Sequence, residues 1–396
     1  MSDGILSDVC STLREAQSPA TLPDEFVWYF SIPAFDESGR PELVRPRTIG
    51  SSKLLISRPC VLFSRLNPRI PRVWDLTGLP LDHKSLASSE FVPFVVDDRS
   101  RLEGRYLYWL LQSKVFIARA RGAVRAATKS RERVEKERLF EIPVPLPPLA
   151  EQRRIAAVLD KADGVRRKRR ESLRLLDEFL RSAFLEMFGD PVKNDKGWET
   201  ATLGETIAEG PQNGLYRPSS EYGSGTPIVR IDSFYDGAIT KLESLKRVRI
   251  GEADVAQFGL REGDVLVNRV NSREFLGKSA LVPALTEPTV YESNMMRFRV
   301  TADLLDPCYL VALLQTPFFR QQVARRTRDA VNQASFNQDD LRSFELRIPG
   351  LDLQRRYRKV KNQVLALQLT MRRAEQNADS LFDSLSQRAF GETGRR

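Results

Sequence analysis

The chain has 396 residues, of which 41% are hydrophobic and 29% are charged. This length exceeds what one ordinary hydrophobic core supports, so it predicts two domains or more. The 62 Lys and Arg residues outnumber the 52 Asp and Glu residues, the formal charge is +10, and the excess is scattered along the chain. Such a surface suits a polyanion, most commonly nucleic acid, although an ordinary basic protein has the same charge balance.

The cysteines and the single histidine exclude several kinds of chemistry. Cys10, Cys60 and Cys308 lie far apart and form no CxxC pair, which argues against a zinc knuckle or a disulfide framework and favours a reducing, cytoplasmic compartment. His83 alone cannot supply catalysis that needs two imidazoles. Neither a metal site nor a catalytic residue is therefore predicted. No secretory signal is expected, because MSDGILSDVC (1–10) has neither a basic nor an apolar leader region, and no membrane span is expected, because no stretch approaches 18 uninterrupted apolar residues.

Strand-like and helical segments alternate in the first half of the chain. FVPFVV (91–96) is typical of a buried strand, and YLYWLLQS (106–113) predicts an amphipathic helix because its leucines have i, i+3, i+4 spacing. The proline run PVPLPP (143–148) cannot lie inside a helix, so it predicts a stiff joint. A long basic helix follows, beginning near EQRRI (151–155).

The second half repeats the first. VLFSRLNP (61–68) matches VLVNRVNS (265–272) at a shift of 204 positions, and YLYWLLQS matches YLVALLQT (309–316) at a shift of 203. PPLAEQRR (147–154) matches PGLDLQRR (349–356) at a shift of 202. Matches in one order with so little drift indicate a tandem duplication. Each copy is predicted to be an α/β globule followed by a helical rod.

Both rods have heptad patterns. With Tyr357 at a, the second rod places at a and d Tyr357, Val364, Met371, Ala378 and Leu385, and Val360, Leu367, Ala374, Leu381 and Arg388. The first rod has the weaker pattern: Ile155, Ala162, Arg169, Leu176 and Ala183 at a, and Val158, Val165, Ser172, Phe179 and Glu186 at d, with a stripe widened by Leu159, Leu173, Leu180 and Met187. The rods predict either a homodimer zipper or an intramolecular pair, and the duplication favours the pair.

A known family carries this combination of motifs. LPPLAEQRRIAAVLDKAD (146–163), the ending RSAFLEMFGDP (181–191) and a second globule that opens on GWETATLGE (197–205) resemble the specificity subunit of type I restriction–modification systems. The resemblance covers essentially the whole chain. The first copy departs from it, because it shows no clear counterpart of GWETATLGE or of the loop GPQNGLYRP (210–218).

The resemblance implies an α+β fold with two α/β target recognition domains in pseudo-twofold tandem repeat, separated by two long helices that form an antiparallel coiled coil. Residues 1–142 would be the first recognition domain and 143–190 the proline joint and first spacer helix. Residues 191–348 would be the second recognition domain and 349–396 the second spacer helix. Each domain would read one half of a split site in double-stranded DNA.

The helices would dock modification methyltransferase subunits, two of them, and restriction or translocase subunits where the system has them. Adenosylmethionine and ATP would bind those partners, so this chain would need no cofactor, would not be an enzyme and would not meet a membrane. Helix pairing and partner docking are assigned to Ile155, Val158, Leu159, Ala162, Leu176, Leu180, Val360, Val364, Leu367, Met371, Leu381 and Leu385.

Residues for DNA contact follow from local chemistry. Arginine suits guanine or phosphate, and asparagine suits adenine. In each copy such residues directly follow a predicted strand: Arg65, Asn67 and Arg69 in the first copy, and Arg269, Asn271 and Arg273 in the second. The second copy also has a predicted loop with hydrogen-bond donors, an acceptor and an aromatic ring, supplied by Gln212, Asn213, Tyr216 and Arg217. Alternatively, the arginines brace turns inside the fold and the loop is an ordinary surface loop.

Two other classes of protein stay open. One is an enzyme that modifies or cleaves DNA alone, and the other is a coiled-coil assembly protein that does not touch DNA.

Overall fold

A computed structural model describes residues 3–78, 83–122, 132–240, 242–330 and 333–391. The chain divides into two units, of which unit 1 is Met1–Glu171 with Met371–Arg396 and unit 2 is Ser172–Thr370. Each unit has its own sheets and its own share of two long helices. No helix in the described ranges combines the length and apolar character needed to cross a membrane.

Unit 1 contains short strands because turn residues interrupt its apolar runs. Its strands are β1 (Asp3–Ile5), β2 (Cys10–Ser11), β3 (Ala16–Gln17), β4 (Val27–Phe30), β5 (Glu42–Val44), β6 (Lys53–Leu55), β7 (Val61–Ser64), β8 (Val73–Asp75), β9 (Ser85–Ala87), β10 (Phe91–Val96) and β11 (Pro143–Pro145). Its helices are α1 (Ile32–Ser38), α2 (Gly104–Gln112), α3 (Lys114–Gly122), α4 (Lys136–Phe140) and the first part of α5 (Leu149–Phe188).

Unit 2 repeats this order with longer strands. Its strands are β12 (Glu199–Thr202), β13 (Ile207–Asn213), β14 (Tyr222–Val229), β15 (Phe234–Tyr235), β16 (Gly237–Ile239), β17 (Lys246–Val248), β18 (Val265–Asn268), β19 (Val270–Asn271), β20 (Ser279–Leu281), β21 (Val290–Tyr291), β22 (Met295–Val300), β23 (Arg328–Ala330), β24 (Gln333–Ser335) and β25 (Glu345–Ile348). Its helices are α6 (Leu203–Thr206), α7 (Glu252–Phe258), α8 (Pro307–Leu314), α9 (Pro317–Arg326), α10 (Gln338–Arg342) and the first part of α11 (Leu351–Phe390).

The duplication is visible in the strand register. Unit 1 has a sheet of order β2-β10-β7-β8, and unit 2 contains the order β13-β22-β18-β20 within a sheet of six strands. Val61 faces Phe94 across β7 and β10, and Val265 faces Phe298 across β18 and β22, so the same shift of 204 relates both partners. The fold class predicted from the sequence is confirmed: the chain mixes helices and sheets and carries two long helices.

The first copy has a structural counterpart of the end of GWETATLGE (197–205), although its sequence shows no clear one. β1 pairs with β11 in the way that β12 pairs with β25, and each first strand leads into a short helical turn. Leu6 and Leu203 begin those two turns and are both fully buried. The sequences of the two turns show little likeness because the one shared requirement is a buried apolar side chain, Leu6 in one and Leu203 in the other.

The prolines predicted to form a joint lie between the sheets of unit 1 and α5. Pro143–Pro145 forms an edge strand against β1, where missing N–H donors are tolerated, and the Pro145 carbonyl accepts a hydrogen bond from the Tyr106 hydroxyl at 2.8 Å. Helix α5 then begins at Leu149, directly after Pro147 and Pro148. The prolines therefore belong to the sheet and to the helix start.

A buried glutamine holds the start of α5. The side chain of Gln152 accepts from the Glu103 N–H at 2.9 Å and donates to the carbonyls of Arg101 at 2.7 Å and Pro147 at 2.8 Å. Gln152 is fully buried, so these bonds have no competition from water. Glu103 is the N-cap of α2, and the glutamine thus joins the start of the long helix to the start of the domain helix.

Gln354 forms the same junction in unit 2. It accepts from the Asp306 N–H at 2.7 Å and donates to the carbonyls of Leu304 at 3.2 Å and Pro349 at 2.7 Å. Asp306 is the N-cap of α8. The EQRR and LQRR motifs therefore share a glutamine because each must satisfy three buried backbone groups.

Candidate nucleic-acid interface

Arg65 and Arg269 directly follow the equivalent strands β7 and β18, and their main chains make equivalent hydrogen bonds. In unit 1 the Arg65 N–H donates to the Glu90 carbonyl at 2.9 Å, and in unit 2 the Arg269 N–H donates to the Asn294 carbonyl at 2.9 Å. Residues 90 and 294 directly precede β10 and β22. The two arginines are therefore in matching positions of the repeat.

Their side chains have different surroundings. Arg65 lies 3.6 Å from the carboxylate of Glu90, which also receives a hydrogen bond from Arg133 at 2.6 Å. Arg269 instead donates through Nε to the Ser293 carbonyl at 3.0 Å. Partial burial lowers the pKa of Arg269, and no carboxylate among the described residues lies within ion-pair distance of it.

The asparagines and outer arginines of these strands occupy varied positions. Asn67 has φ of 50°, a conformation that asparagine tolerates better than most residues, and its N–H donates to the Glu132 carbonyl at 2.8 Å. Asn271 faces Ala334 in the β19 and β24 pair. Arg69 and Arg273 are both exposed. Asn67 therefore has a backbone reason for its identity, independent of any ligand.

The predicted loop at 210–218 is wrong for its first part, because Gln212 and Asn213 lie in β13 and pair with β22; the whole segment is tied into unit 2. The Gln212 side chain accepts from Arg297 at 2.9 Å and donates to the Gln257 carbonyl at 3.1 Å. Arg217 forms an ion pair with Asp254 at 2.6 Å. Gln212 and Arg217 thus have internal partners and brace the loop.

Two other residues of this loop differ in exposure. The Asn213 side-chain oxygen is buried and has no hydrogen-bond partner in the described part of the chain. Tyr216 is 77% exposed, so its ring is free to stack on a ligand.

The loop and the Arg269 strand meet at one turn. The Leu215 N–H donates to the Tyr291 carbonyl, and the Ser293 N–H donates back to the Leu215 carbonyl at 3.0 Å. Ser293 is also the residue that receives the Arg269 side chain. An open pocket of about 500 Å³ lies here, lined by Leu215, Tyr216, Arg217, Ser219, Tyr222, Arg230, Lys246, Glu292, Ser293 and Asn294. The two sets of residues predicted in the second copy therefore adjoin.

Sequence reasoning missed the cationic neighbours of Arg65. Arg133 shares Glu90 with it, and burial, followed by the charges of Arg14 and Arg65, lowers the pKa of Lys136. A carboxylate at Glu90 opposes this positive charge. The signal available in the sequence was the basic segment RERVEK (131–136), and only the fold reveals that its Arg133 pairs with Leu66, just after β7.

The long helices run antiparallel within each unit. In unit 1, Arg166 of α5 pairs with Asp379 of α11 at 2.6 Å, and Arg170 pairs with Glu375 at 3.1 Å. Arg166 also lies over the Phe382 ring at 4.3 Å. The basic run RRKRR (166–170) thus supplies contacts between helices.

In unit 2, Gln368 donates to Asp177 at 2.7 Å and Tyr357 packs edge-on against Phe184, with ring centroids 5.7 Å apart. Phe188, at the end of α5, packs on Tyr309 with centroids 4.6 Å apart. Phe390, at the end of α11, packs in the same manner on Tyr106 of unit 1 at 5.4 Å. Each long helix therefore begins beside one repeat and ends against the equivalent tyrosine of the other, Tyr309 for α5 and Tyr106 for α11.

The predicted a positions and d positions have different outcomes. Every predicted a residue is buried or half-buried, but Leu367 is 45% exposed, Leu381 is 57% exposed, and Val165, Phe179, Glu186 and Arg388 are also exposed. The contacts made by Arg166, Gln368, Glu375 and Phe382 place the second row of the seam four residues after each a position. At Val165, Leu367 and Leu381 the seam therefore lies one residue after the predicted d position, whereas the d residues Val158, Ser172, Val360 and Ala374 are half-buried.

The other residues assigned to helix pairing are covered to different degrees. Ile155, Leu159 and Val364 are buried, with Ile155 and Leu159 in the core of unit 1 beside Tyr106. The half-buried ones are Val158, Ala162, Leu176, Leu180, Val360, Met371 and Leu385.

Known proteins resemble this chain in sequence and in fold. Residues 80–173 match the family model described as the type I restriction modification DNA specificity domain. A Methanocaldococcus jannaschii protein assigned as the type I restriction enzyme MjaX specificity subunit is 32% identical over 170 residues, which are 41% of this chain and 38% of that protein. Residues 80–173 therefore carry a type I specificity domain, and the chain is similar to type I specificity subunits.

Other relatives extend the likeness. The type I restriction enzyme EcoKI specificity subunit of Escherichia coli is 26% identical over 62% of this chain and 55% of its own length. The matches thus span between about two fifths and three fifths of the curated relatives. A type I restriction–modification S subunit from M. genitalium, 11% identical, has the same fold with a TM-score of 0.60 over 99% of this chain and 96% of that chain.

Proposed function

We propose that the chain is the DNA-recognition subunit of a type I restriction–modification complex. Unit 1 would read one half of a split site, unit 2 the other, and the long helices would dock the modification subunits. The recognition domains would comprise residues 1–142 and 191–348, and the helical segments 143–190 and 349–396. One observation carries the proposal: both repeats present an arginine at the same point beside the same strand pair.

A docking surface would need apolar side chains that the helix pair leaves uncovered. In unit 2 the exposed apolar residues of the helices are Leu175, Phe179, Leu185, Leu365, Leu367 and Leu369. Unit 1 adds Val165 and Leu381. These residues would contact modification subunits, two per complex, with restriction subunits joining where they are encoded.

The chain itself would carry no catalytic centre and no cofactor. Adenosylmethionine and ATP would bind the partner subunits. In the described ranges, no group of His, Cys, Asp and Glu side chains is arranged to hold a metal ion. The three cysteines are free and buried, which suits the reducing cytoplasm in which we place the complex.

The test is reconstitution. Purified chain, adenosylmethionine and duplex DNA would be incubated with and without the modification subunit encoded beside it, and methylation would be mapped by sequencing. We expect methylation at a bipartite site only when both proteins are present. Exchange of residues 1–142 for the equivalent domain of a relative should then change one half of the site. Methylation by the chain alone, or DNA binding that is never sequence-specific, would refute the proposal.

A further inference from the structure

The equivalent positions Glu90 and Asn294 differ in charge, and this difference changes what each neighbouring arginine can do. Both residues accept a main-chain hydrogen bond from their arginine at 2.9 Å, so the backbone geometry is the same. Glu90 presents a carboxylate that is 18% exposed, whereas Asn294 has a neutral amide.

In unit 1 the Glu90 carboxylate is shared by two cations. Arg65 approaches it at 3.6 Å and Arg133 at 2.6 Å. Arg65 is 32% exposed and Arg133 is 58% exposed. The three groups sum to one positive charge, and Arg133 is the more accessible of the two cations to a ligand.

In unit 2 the positive charge stays on Arg269. The position equivalent to Arg133 is Ser335, because Leu66 pairs with Arg133 as Val270 pairs with Ser335. Within the described residues, Arg269 donates through Nε to the Ser293 carbonyl, and no described partner takes its two terminal nitrogens, which are left for a ligand. Partial burial without a counter-ion costs free energy that an anionic ligand would recover.

We infer that unit 2 contacts DNA through Arg269 and unit 1 through Arg133. In unit 1, Glu90 holds Arg65 in place, so that Arg65 is a positioning residue and not a DNA contact. This inference rests on the proposed function and assigns the cation in each half. The ligand atoms are phosphate oxygens or the acceptor edge of guanine, which share the same chemistry toward a guanidinium fork.

The repeat supplies the experiment, since each unit carries the residue that should alter the other. Asn294→Glu would place a carboxylate beside Arg269, and Glu90→Asn would release Arg65 and Arg133. The complex with its modification subunit would be titrated over a range of salt concentrations with two fluorescent duplexes. One carries the site that the wild-type complex methylates, and the other is a scrambled duplex.

The two changes should have opposite effects. For Asn294→Glu we expect weaker binding and a salt slope smaller by about 0.9, and for Glu90→Asn a slope larger by about 0.9, because each changes the charge available to phosphates by one. If Arg269 reads a base, Asn294→Glu should instead weaken binding of the target duplex by about 5- to 150-fold and spare the scrambled one. Either pattern supports the inference.

Matched controls separate local from general charge effects. Asp383→Asn releases Lys114 from an ion pair of 2.6 Å in unit 1, and Asn362→Glu adds a carboxylate at an exposed position of α11 in unit 2. Neither should reproduce its partner variant. The double variant Arg269→Gln, Asn294→Glu should lose no more affinity for duplex DNA than either single variant does.

Wild-type binding and slope in folded Asn294→Glu and Glu90→Asn variants would overturn the inference while leaving the proposed function standing. Arg133→Gln gives an independent arm: it should lower affinity more than Arg65→Gln does, and the reverse order would also overturn it. A wild-type complex that shows no affinity for duplex DNA would defeat the proposed function itself.

Discussion

Replacement of Gln152 by leucine tests whether the glutamine junction stabilises unit 1. Leucine fills a similar volume but cannot pair with the Glu103 N–H or with the carbonyls of Arg101 and Pro147. Each buried backbone group left without a partner costs about 1 to 3 kcal/mol, so the total should be roughly 3 kcal/mol or more. For a unit of this size, that corresponds to a fall of about 6 to 12 °C in melting temperature.

The assay is thermal unfolding followed by calorimetry, with hydrogen exchange to assign each transition to a unit. A chain with two units need not unfold in one step, so the transition of unit 1 should move while that of unit 2 moves less. Gln376→Leu is the matched control, because Gln376 lies exposed on α11 within unit 1. Gln354→Leu should reproduce the effect in unit 2. An equal, small shift for Gln152→Leu and Gln376→Leu would refute the reasoning.

Four further substitutions test the helix pair and the acid stability. Asp379→Asn should lower the stability of unit 1 by about 1 kcal/mol in low salt and by less in high salt, measured by chemical denaturation, since its ion pairs are partly exposed. Phe188→Ala should cost about 3 to 5 kcal/mol, whereas Leu367→Ala should cost under about 0.5 kcal/mol and weaken only co-purification of the modification subunit. Hydrogen bonding to Arg72 lowers the pKa of Asp36 below its usual 3.8, so this stabilisation is present above that pH and is lost as the pH falls further; Asp36→Asn should flatten the acid end of the stability curve.

The duplication and the a positions of both rods could be predicted because they rest on periods that survive in the sequence. The second row of the seam could not. Leu367 looks like a seam residue from its hydrophobicity, yet Gln368 is 6% exposed and Leu367 is 45% exposed. A polar residue is stable there because Asp177 of the other helix accepts its hydrogen bond. That partner is 191 positions away in sequence, so periodicity cannot reveal it.

The candidate interface was predictable to a similar extent. The match between Arg65 and Arg269 followed from the repeat, but their inequality depends on Glu90 and Asn294, which lie outside the matched motif. The loop residues were chosen for their hydrogen-bonding groups, and the fold uses the side chains of Gln212 and Arg217 internally. Residue type alone cannot distinguish a donor that is free from one that braces a loop.

Each repeat needs the helix end of the other repeat to complete its hydrophobic core. Tyr106 is fully buried, and one ring against it is Phe390, which belongs to the other repeat; Tyr309 is buried in the same way by Phe188. Removal of either phenylalanine would expose an aromatic surface of the globule that it completes. Neither globule with its own following helix is therefore a closed hydrophobic unit. The duplication lets one chain provide both missing helix ends at high effective concentration, while the two candidate interfaces stay free to differ, as they do at Glu90 and Asn294.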